Sequence, residues 1–344
     1  MTRLSRAATA GLIVAAAVAG LGARQAATPR VAVFTTGGTI ASRPGQSMQD
    51  GASLIAAVPE LARHAELAVR EVTRVGSSQM TPALWLALAS HIREALADPG
   101  LAGVVVTHGT DTLEDTAFFL DTVFAEERPI VLTGSMRSST EISADGPANL
   151  LNAVRVATAP AARGMGVLVS LDEAIASARD VWKTENRRVG TFRSPELGFL
   201  GFVDPDGVVF YRRPVARGDA ARRFDIADRQ DLPAVPILTD YPGFDPGLMD
   251  GVLALEPGGV VVAAFAGGRM SAGAREAIAR ALAAGVPVVV SSHVPGGRIV
   301  GDPRGDLRAV LARDLPPNKA RILLMLALTR TRDRDALQAI FDAR

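Results

Sequence analysis

Four residues of this 344-residue chain have the types and neighbours that acyl transfer needs: Thr39, Thr110, Asp111 and Lys183. Thr39 ends Thr35-Thr36-Gly37-Gly38-Thr39, and Thr110 stands in Thr107-His108-Gly109-Thr110-Asp111-Thr112. A threonine hydroxyl barely ionises near neutrality, so it attacks a carbonyl only with a base beside it. His108 is the one histidine near these turns, and an alternating turn aims its ring away from Thr110. Lys183, in Asp180-Val181-Trp182-Lys183-Thr184, is the candidate base. Burial would lower its pKa, and Asp111 would hold it in place while partly opposing that shift. Ser77 and Ser78 form a third hydroxyl-bearing stretch, ahead of Thr81-Pro82. Each group also has a plainer reading. The first stretch can be an ordinary strand-to-loop turn, Asp111 with Glu114 a capping box, Ser77 and Ser78 caps, and Thr110 a turn hydroxyl.

Composition narrows the chemistry. There is no cysteine, and no two of His64, His91, His108 and His293 have the spacing of a metal pair. A metalloenzyme is therefore not expected. Net charge is +1 with scattered basic residues, which gives no reason to expect nucleic acid. Of 37 basic residues only Lys183 and Lys319 are lysine. Arginine serves as surface charge but keeps its proton, so a lysine in such a chain is suspect as a base.

The elements that must carry these residues alternate. Val31 to Phe34 and Gly103 to Val106 are short apolar runs that read as buried strands, and each leads into a glycine and hydroxyl turn. Pro129 to Leu132 followed by Thr133-Gly134-Ser135 repeats the pattern, and Val167 to Val169 is a further strand. Between them, helices are predicted over Leu54 to Leu67, from Thr81-Pro82 onward, from Leu113 and over Pro147 to Ala157. Asp206-Gly207 marks a hairpin, and Arg43 to Ala52 reads as a mobile lid. Charge-dense Arg212 to Asp231 reads as a connection. Beyond it Val235 to Leu238, Gly251 to Leu255, Val260 to Phe265 and Val286 to Val290 continue the strands. Ala272 to Ala284, Lys319 to Leu328 and Asp335 to Phe341 read as helices. The expectation is α/β: two domains with mainly parallel sheets, the larger at residues 30–220, a linker at 221–233, and the smaller at 234–344. Ligands of such sheets bind at the carboxyl edge, where Thr39, Ser77-Ser78 and Thr110-Asp111 would then meet.

The first 26 residues stand apart. Arg3 and Arg6 precede an apolar run from Gly11 to Gly20, and small residues follow at Gly22, Ala23 and Ala26. This fits a cleaved secretory signal, hence a periplasmic or secreted protein without stable membrane association.

From about Arg30 onward the chain resembles the bacterial-type L-asparaginases, the threonine amidohydrolases, and is most similar to their secreted type II. Thr36-Gly37-Gly38-Thr39-Ile40-Ala41 and Thr107-His108-Gly109-Thr110-Asp111-Thr112 match the two family signatures. Gly76-Ser77, Ser143-Ala144-Asp145-Gly146-Pro147, Asp180 to Thr184 and Lys319-Ala320-Arg321 match further landmarks in order. The resemblance implies hydrolysis of the asparagine side-chain amide through a threonine acyl-enzyme, with Thr39 attacking and Thr110, Asp111 and Lys183 relaying protons. It implies Ser77 on the substrate α-carboxylate, Asp111 on its α-ammonium, no cofactor, and a homotetramer or dimer with sites between subunits.

Three departures bear on substrate. The lid carries no tyrosine where the family has one, since only Tyr211 and Tyr241 exist. Ser78 stands where a glutamine commonly touches substrate. Ala266-Gly267-Gly268-Arg269 replaces a turn that usually lends an amide to the neighbouring subunit's site, so Arg269 is expected to reach in. Glutamine, another ω-amide or an N-acylated amide are therefore alternative substrates, and an inactive periplasmic amino-acid binder is an alternative of another class.

Overall fold

The computed structural model describes residues 27–42, 45, 47–214, 223–301 and 307–344. The predicted signal segment lies outside them, as do three residues of the predicted lid and part of the charged connection. The first unit opens with β1 (Arg30–Gly37), α1 (Gly51–Ala56), β2 (Glu66–Val75), α2 (Pro82–Leu96), β3 (Leu101–Thr107) and α3 (Leu113–Val123). It continues with β4 (Ile130–Thr133), α4 (Gly146–Thr158), β5 (Val167–Leu171), β6 (Ala174–Ser177), β7 (Trp182–Lys183), β8 (Phe192–Arg193), β9 (Gly201–Asp204) and β10 (Gly207–Phe210). Eight of these strands form one sheet in the order β10-β9-β6-β5-β4-β3-β1-β2. The five from β2 to β5 are parallel, and β6, β9 and β10 run antiparallel at the far end. Strands β7 and β8 make a separate short ribbon that carries Lys183.

The second unit contains β11 (Ile237–Thr239), α5 (Gly247–Leu253), β12 (Val260–Ala264), α6 (Ala272–Ala283), β13 (Val288–Ser292), β14 (Val310–Leu311), α7 (Pro317–Ala327) and α8 (Arg334–Asp342). Its four strands are all parallel, in chain order. The architecture is thus two-domain α/β with mainly parallel sheets, the first larger.

Helices cover both faces of the large sheet, which is why its strands are apolar on both sides. Val31, Val33, Val105, Val131 and Leu168 pack with Leu150 and Val154 of α4. Ala32, Phe34, Val104, Val106 and Leu132 face Leu88 and Ile92 of α2 and Phe118 and Phe119 of α3. That second cluster runs on through Leu323 and Leu324 of α7 to Val261 and Val289 of the smaller sheet. The two units therefore share one core, with α3 against α7 at the junction.

Two sequence expectations fail locally. Leu54 to Leu67 is not one helix: α1 ends at Ala56, a 3-10 turn spans Pro59–Arg63, and β2 begins at Glu66. Strand β2 escaped notice because it is a sheet edge with mostly exposed, charged side chains and no buried face to impose alternation. Gly251 to Leu255 lies in and just after α5 rather than in a strand. The close of the predicted lid is anchored: Gln49 N–H donates to Ala41 C=O at 2.7 Å, and Asp50 caps α1 through Ser53 N–H at 2.7 Å.

Gly103 is where α4 rests on β3. A Cβ there would meet the Ala157 carbonyl oxygen at 2.4 Å and that of Pro129 at 3.0 Å, and backbone cannot swing aside as a side chain could. Gly103→Ala is expected to lower unfolding stability by about 1–3 kcal/mol, the usual cost of overpacking. Urea denaturation of the two proteins checks this, and equal midpoints would refute it.

Candidate active site

The three hydroxyl-bearing turns leave the carboxyl ends of adjacent parallel strands. Ser77 follows β2, Thr39 follows β1 and Thr110 follows β3, in the spatial order β2-β1-β3. Backbone contact draws the turns together. Gly37 and Gly38 have φ of 101° and 84°, a region side chains disfavour. A Cβ on Gly38 would stand 2.2 Å from Gly109 Cα, and one on Gly109 would stand 2.7 Å from Ser77 Oγ. Two facing glycines thus bring Thr39 and Thr110, each the next residue, to one place. Thr36 Oγ1 ties the strand ends by donating to the Thr107 carbonyl at 3.0 Å.

Lys183 arrives from the β7 ribbon. Its Nζ lies 3.0 Å from Thr110 Oγ1 and 2.7 Å from Asp111 Oδ1. Over the first distance a proton can pass between hydroxyl and amine. The Asp111 side chain is 67% exposed and that of Lys183 17%, so solvent screens the pair and its value is orientation rather than stability. Ser77 is buried. Its Oγ accepts the Asp111 N–H at 3.1 Å, and its carbonyl accepts the Thr112 hydroxyl at 2.8 Å. The Ser77 hydroxyl proton is left to donate elsewhere. Ser78 is exposed beside it, and Thr39 is partly buried.

Arg269 is not part of this cluster. It is exposed after the Ala266–Gly268 turn at the carboxyl end of β12, and its side chain bonds none of these residues. Tyr211 follows β10, at the sheet edge opposite β2, and Tyr241 packs on Phe244 in the second unit. Neither serves the lid. Among the described residues no group of three His, Cys, Asp or Glu could hold a metal, and no helix is long and apolar enough to cross a membrane.

The capping-box reading of Asp111 and Glu114 is overturned. Thr112 occupies the N-cap of α3 without a side-chain cap. Glu114 instead turns to the ribbon, where its Oε2 accepts Lys183 N–H at 2.5 Å, and its Oε1 accepts Asn318 Nδ2 at 3.0 Å. The two lysines also divide differently than expected. The fully buried one is Lys319, whose ammonium burial pulls down to about 8, while Lys183 keeps partial exposure. Glu114 and Asn318 were missed by sequence reasoning. The available signals were the acidic pair at the start of α3 and the asparagine abutting Lys319.

His108 is fully buried and turned away from Thr110. Trp85 Nε1–H donates to Thr116 Oγ1 at 2.8 Å, Thr116 Oγ1 lies 3.0 Å from His108 Nε2, and His108 Nδ1 lies 2.7 Å from the Gly109 carbonyl. Indole can only donate and a carbonyl can only accept. The chain therefore has one consistent direction: Thr116 donates to Nε2, and a neutral imidazole donates from Nδ1 to Gly109. Burial holds the imidazole pKa down to about 4. The unfolded chain, with the ordinary 6.5, takes up a proton first, so stability is present above pH 6.5 and is lost as pH falls toward 4. At about 1.4 kcal/mol per unit that loss is roughly 3 kcal/mol. Urea unfolding of the native protein and His108→Gln at pH 7 and pH 4.5 should show a smaller acid loss in the variant. Parallel losses would exclude His108 as the source.

Comparison with known proteins gives the family of the chain. Residues 30–216 match the family model for the asparaginase N-terminal domain. Residues 234–341 match the glutaminase/asparaginase C-terminal domain. The chain is 38% identical over 325 residues to L-asparaginase 2 of Bacillus subtilis, covering 91% of this chain and 86% of the relative. It is 37% identical over 332 residues to a probable periplasmic L-asparaginase of Haemophilus influenzae, covering 93% and 94%. The crystal structure of a probable cytoplasmic L-asparaginase from Campylobacter jejuni superposes with a TM-score of 0.86 at 39% identity, covering 91% of this chain and 99% of that one. The chain is an amidohydrolase and belongs to the asparaginase family.

Proposed function

We propose that the protein hydrolyses L-asparagine to L-aspartate and ammonia through a threonine acyl-enzyme. The observation that carries this reading is Lys183 Nζ bridging Thr110 Oγ1 and Asp111 Oδ1 beside the turn that bears Thr39. Thr39 Oγ1 attacks the side-chain amide carbon and gives up its proton toward Thr110 and Lys183. The relay returns a proton to the amide nitrogen, the C–N bond breaks, and ammonia leaves. Water then adds to the ester, releasing aspartate and restoring the hydroxyl. Ser77, with its spare proton, and Ser78 take the α-carboxylate, and the exposed Asp111 carboxylate takes the α-ammonium. Ammonia release from asparagine, glutamine and N-acyl asparagine by the purified protein tests this. Thr39→Ala and Lys183→Met should each lower kcat by about 10²–10⁴-fold, the scale of a positioned proton-transfer group. No release from any amide by the native protein would sink the enzyme reading.

A second reading concerns substrate. The exposed guanidinium of Arg269, on a turn at the carboxyl end of β12, favours an acylated or longer amide if a neighbouring subunit brings it to the site. Such an assembly, a homotetramer or dimer, belongs to this reading. A positive group near the substrate nitrogen disfavours a free ammonium. Export to the periplasm or beyond rests on the residues up to Ala26, since one relative is named periplasmic and another cytoplasmic. Arg269→Asn should raise kcat/KM for free asparagine relative to N-acyl asparagine. An unchanged ratio would place Arg269 outside the site.

A further inference from the structure

Asn318 and Lys319 lie in the first turn of α7, in the second unit, yet Asn318 ends on α3 and Lys319 on the segment that leads to Lys183. Asn318 Nδ2 donates to Glu114 Oε1 at 3.0 Å and to Asp115 Oδ1 at 2.6 Å. The other oxygen of Glu114 accepts the backbone N–H of Lys183 itself. Lys319 Nζ donates to three carbonyls of the segment just before Lys183: Ala178 at 3.2 Å, Arg179 at 2.6 Å and Val181 at 2.7 Å. It is fully buried and reaches the Phe118 ring of α3 as well, 5.8 Å to the centroid. The outcome is a closed circuit. The turn bearing Thr110 and Asp111 leads into α3, α3 presents Glu114 to Lys183, and α7 holds both Glu114 and the approach to Lys183.

We propose that Asn318 and Lys319 are positioning residues for amide hydrolysis: through Glu114 and the carbonyls of Ala178, Arg179 and Val181 they fix where Lys183 stands relative to Thr110. The inference rests on the reading of Lys183 as the proton relay. Its physical basis is that Lys183 Nζ sits at the end of four rotatable bonds, so the backbone anchor sets which geometries the amine can reach. The Lys183 backbone is held by its pairing with Phe192 of β8 and by Glu114. Asn318 has a further task. It offers one amide to two neighbouring carboxylates, and so keeps Glu114 aimed at Lys183 rather than turned away from Asp115. The cost of a slack anchor is kinetic, because displacement of about 1 Å in a reacting group can lower the rate about 100-fold with binding intact.

The test is a mutant cycle on the full chain, read as kcat and KM on whichever amide is hydrolysed fastest, with thermal unfolding of each variant. Asn318→Ala and Glu114→Ala are each expected to lower kcat on the order of 10-fold, with KM within about twofold and the protein folded at assay temperature. The double variant is expected to lose no more than the worse single one, because both act through one link. Lys319→Met should lower kcat further. If it does not fold, the Asn318–Glu114 cycle decides alone. Undiminished kcat in Asn318→Ala, or losses that multiply in the double variant, would overturn the proposal. Native activity that survives Lys183→Met would overturn it together with the relay reading. A dead Lys183 variant beside an undiminished Asn318→Ala overturns the positioning role only.

Discussion

The contact of Gly38 with Gly109 is the constraint on which the site depends. Adjacent parallel strands lie about 4.8 Å apart, and ordinary side chains on the turns beyond them would wedge those turns apart. Here neither turn has a Cβ at the point of contact, and the backbones nearly touch. Ser77 packs against the same place from the next strand along. One absence of side chains thus brings three separate turns together at one place. Because the contact is made by backbone, it has no rotamers to lose.

Beneath those turns lies a polar layer that no solvent reaches. The run from Trp85 through Thr116 and His108 to Gly109 spends every donor it has and ends on the carbonyl that directs the Gly109–Thr110 peptide. A fully satisfied chain of this kind stiffens its surroundings, whereas a broken one would leave a buried group unpaired. The turn that carries Thr110 is thus backed by uncharged, buried groups, whereas the Lys183–Asp111 pair is partly open to water.

How much of this the sequence announced depends on the range of the interaction involved. Strands β1, β3 and β4 were legible because each is a short apolar run ended by glycine, and Thr81-Pro82 marked α2 because cap and proline act within one turn. Thr39, Thr110, Asp111 and Lys183 were legible as residue types in signature stretches. Strand β2 was not, since an exposed edge carries no hydrophobic period. Nor was the true direction of Glu114: a local motif offered it a capping role, and a partner 204 positions away claimed it instead. Short apolar Gly251 to Leu255 went to helix because four or five such residues suit either state. Local rules failed where a tertiary partner outbid them.

The near absence of lysine has a practical side. Lys319 is sealed in the shared core, so the one lysine side chain that water touches is Lys183. Reagents that acylate or cross-link amines have nowhere else on the side chains to go, and a modified Lys183 can neither hold Asp111 nor exchange a proton with Thr110. Coupling this protein to a polymer or a solid support therefore belongs to its carboxylates, its arginines or its amino terminus.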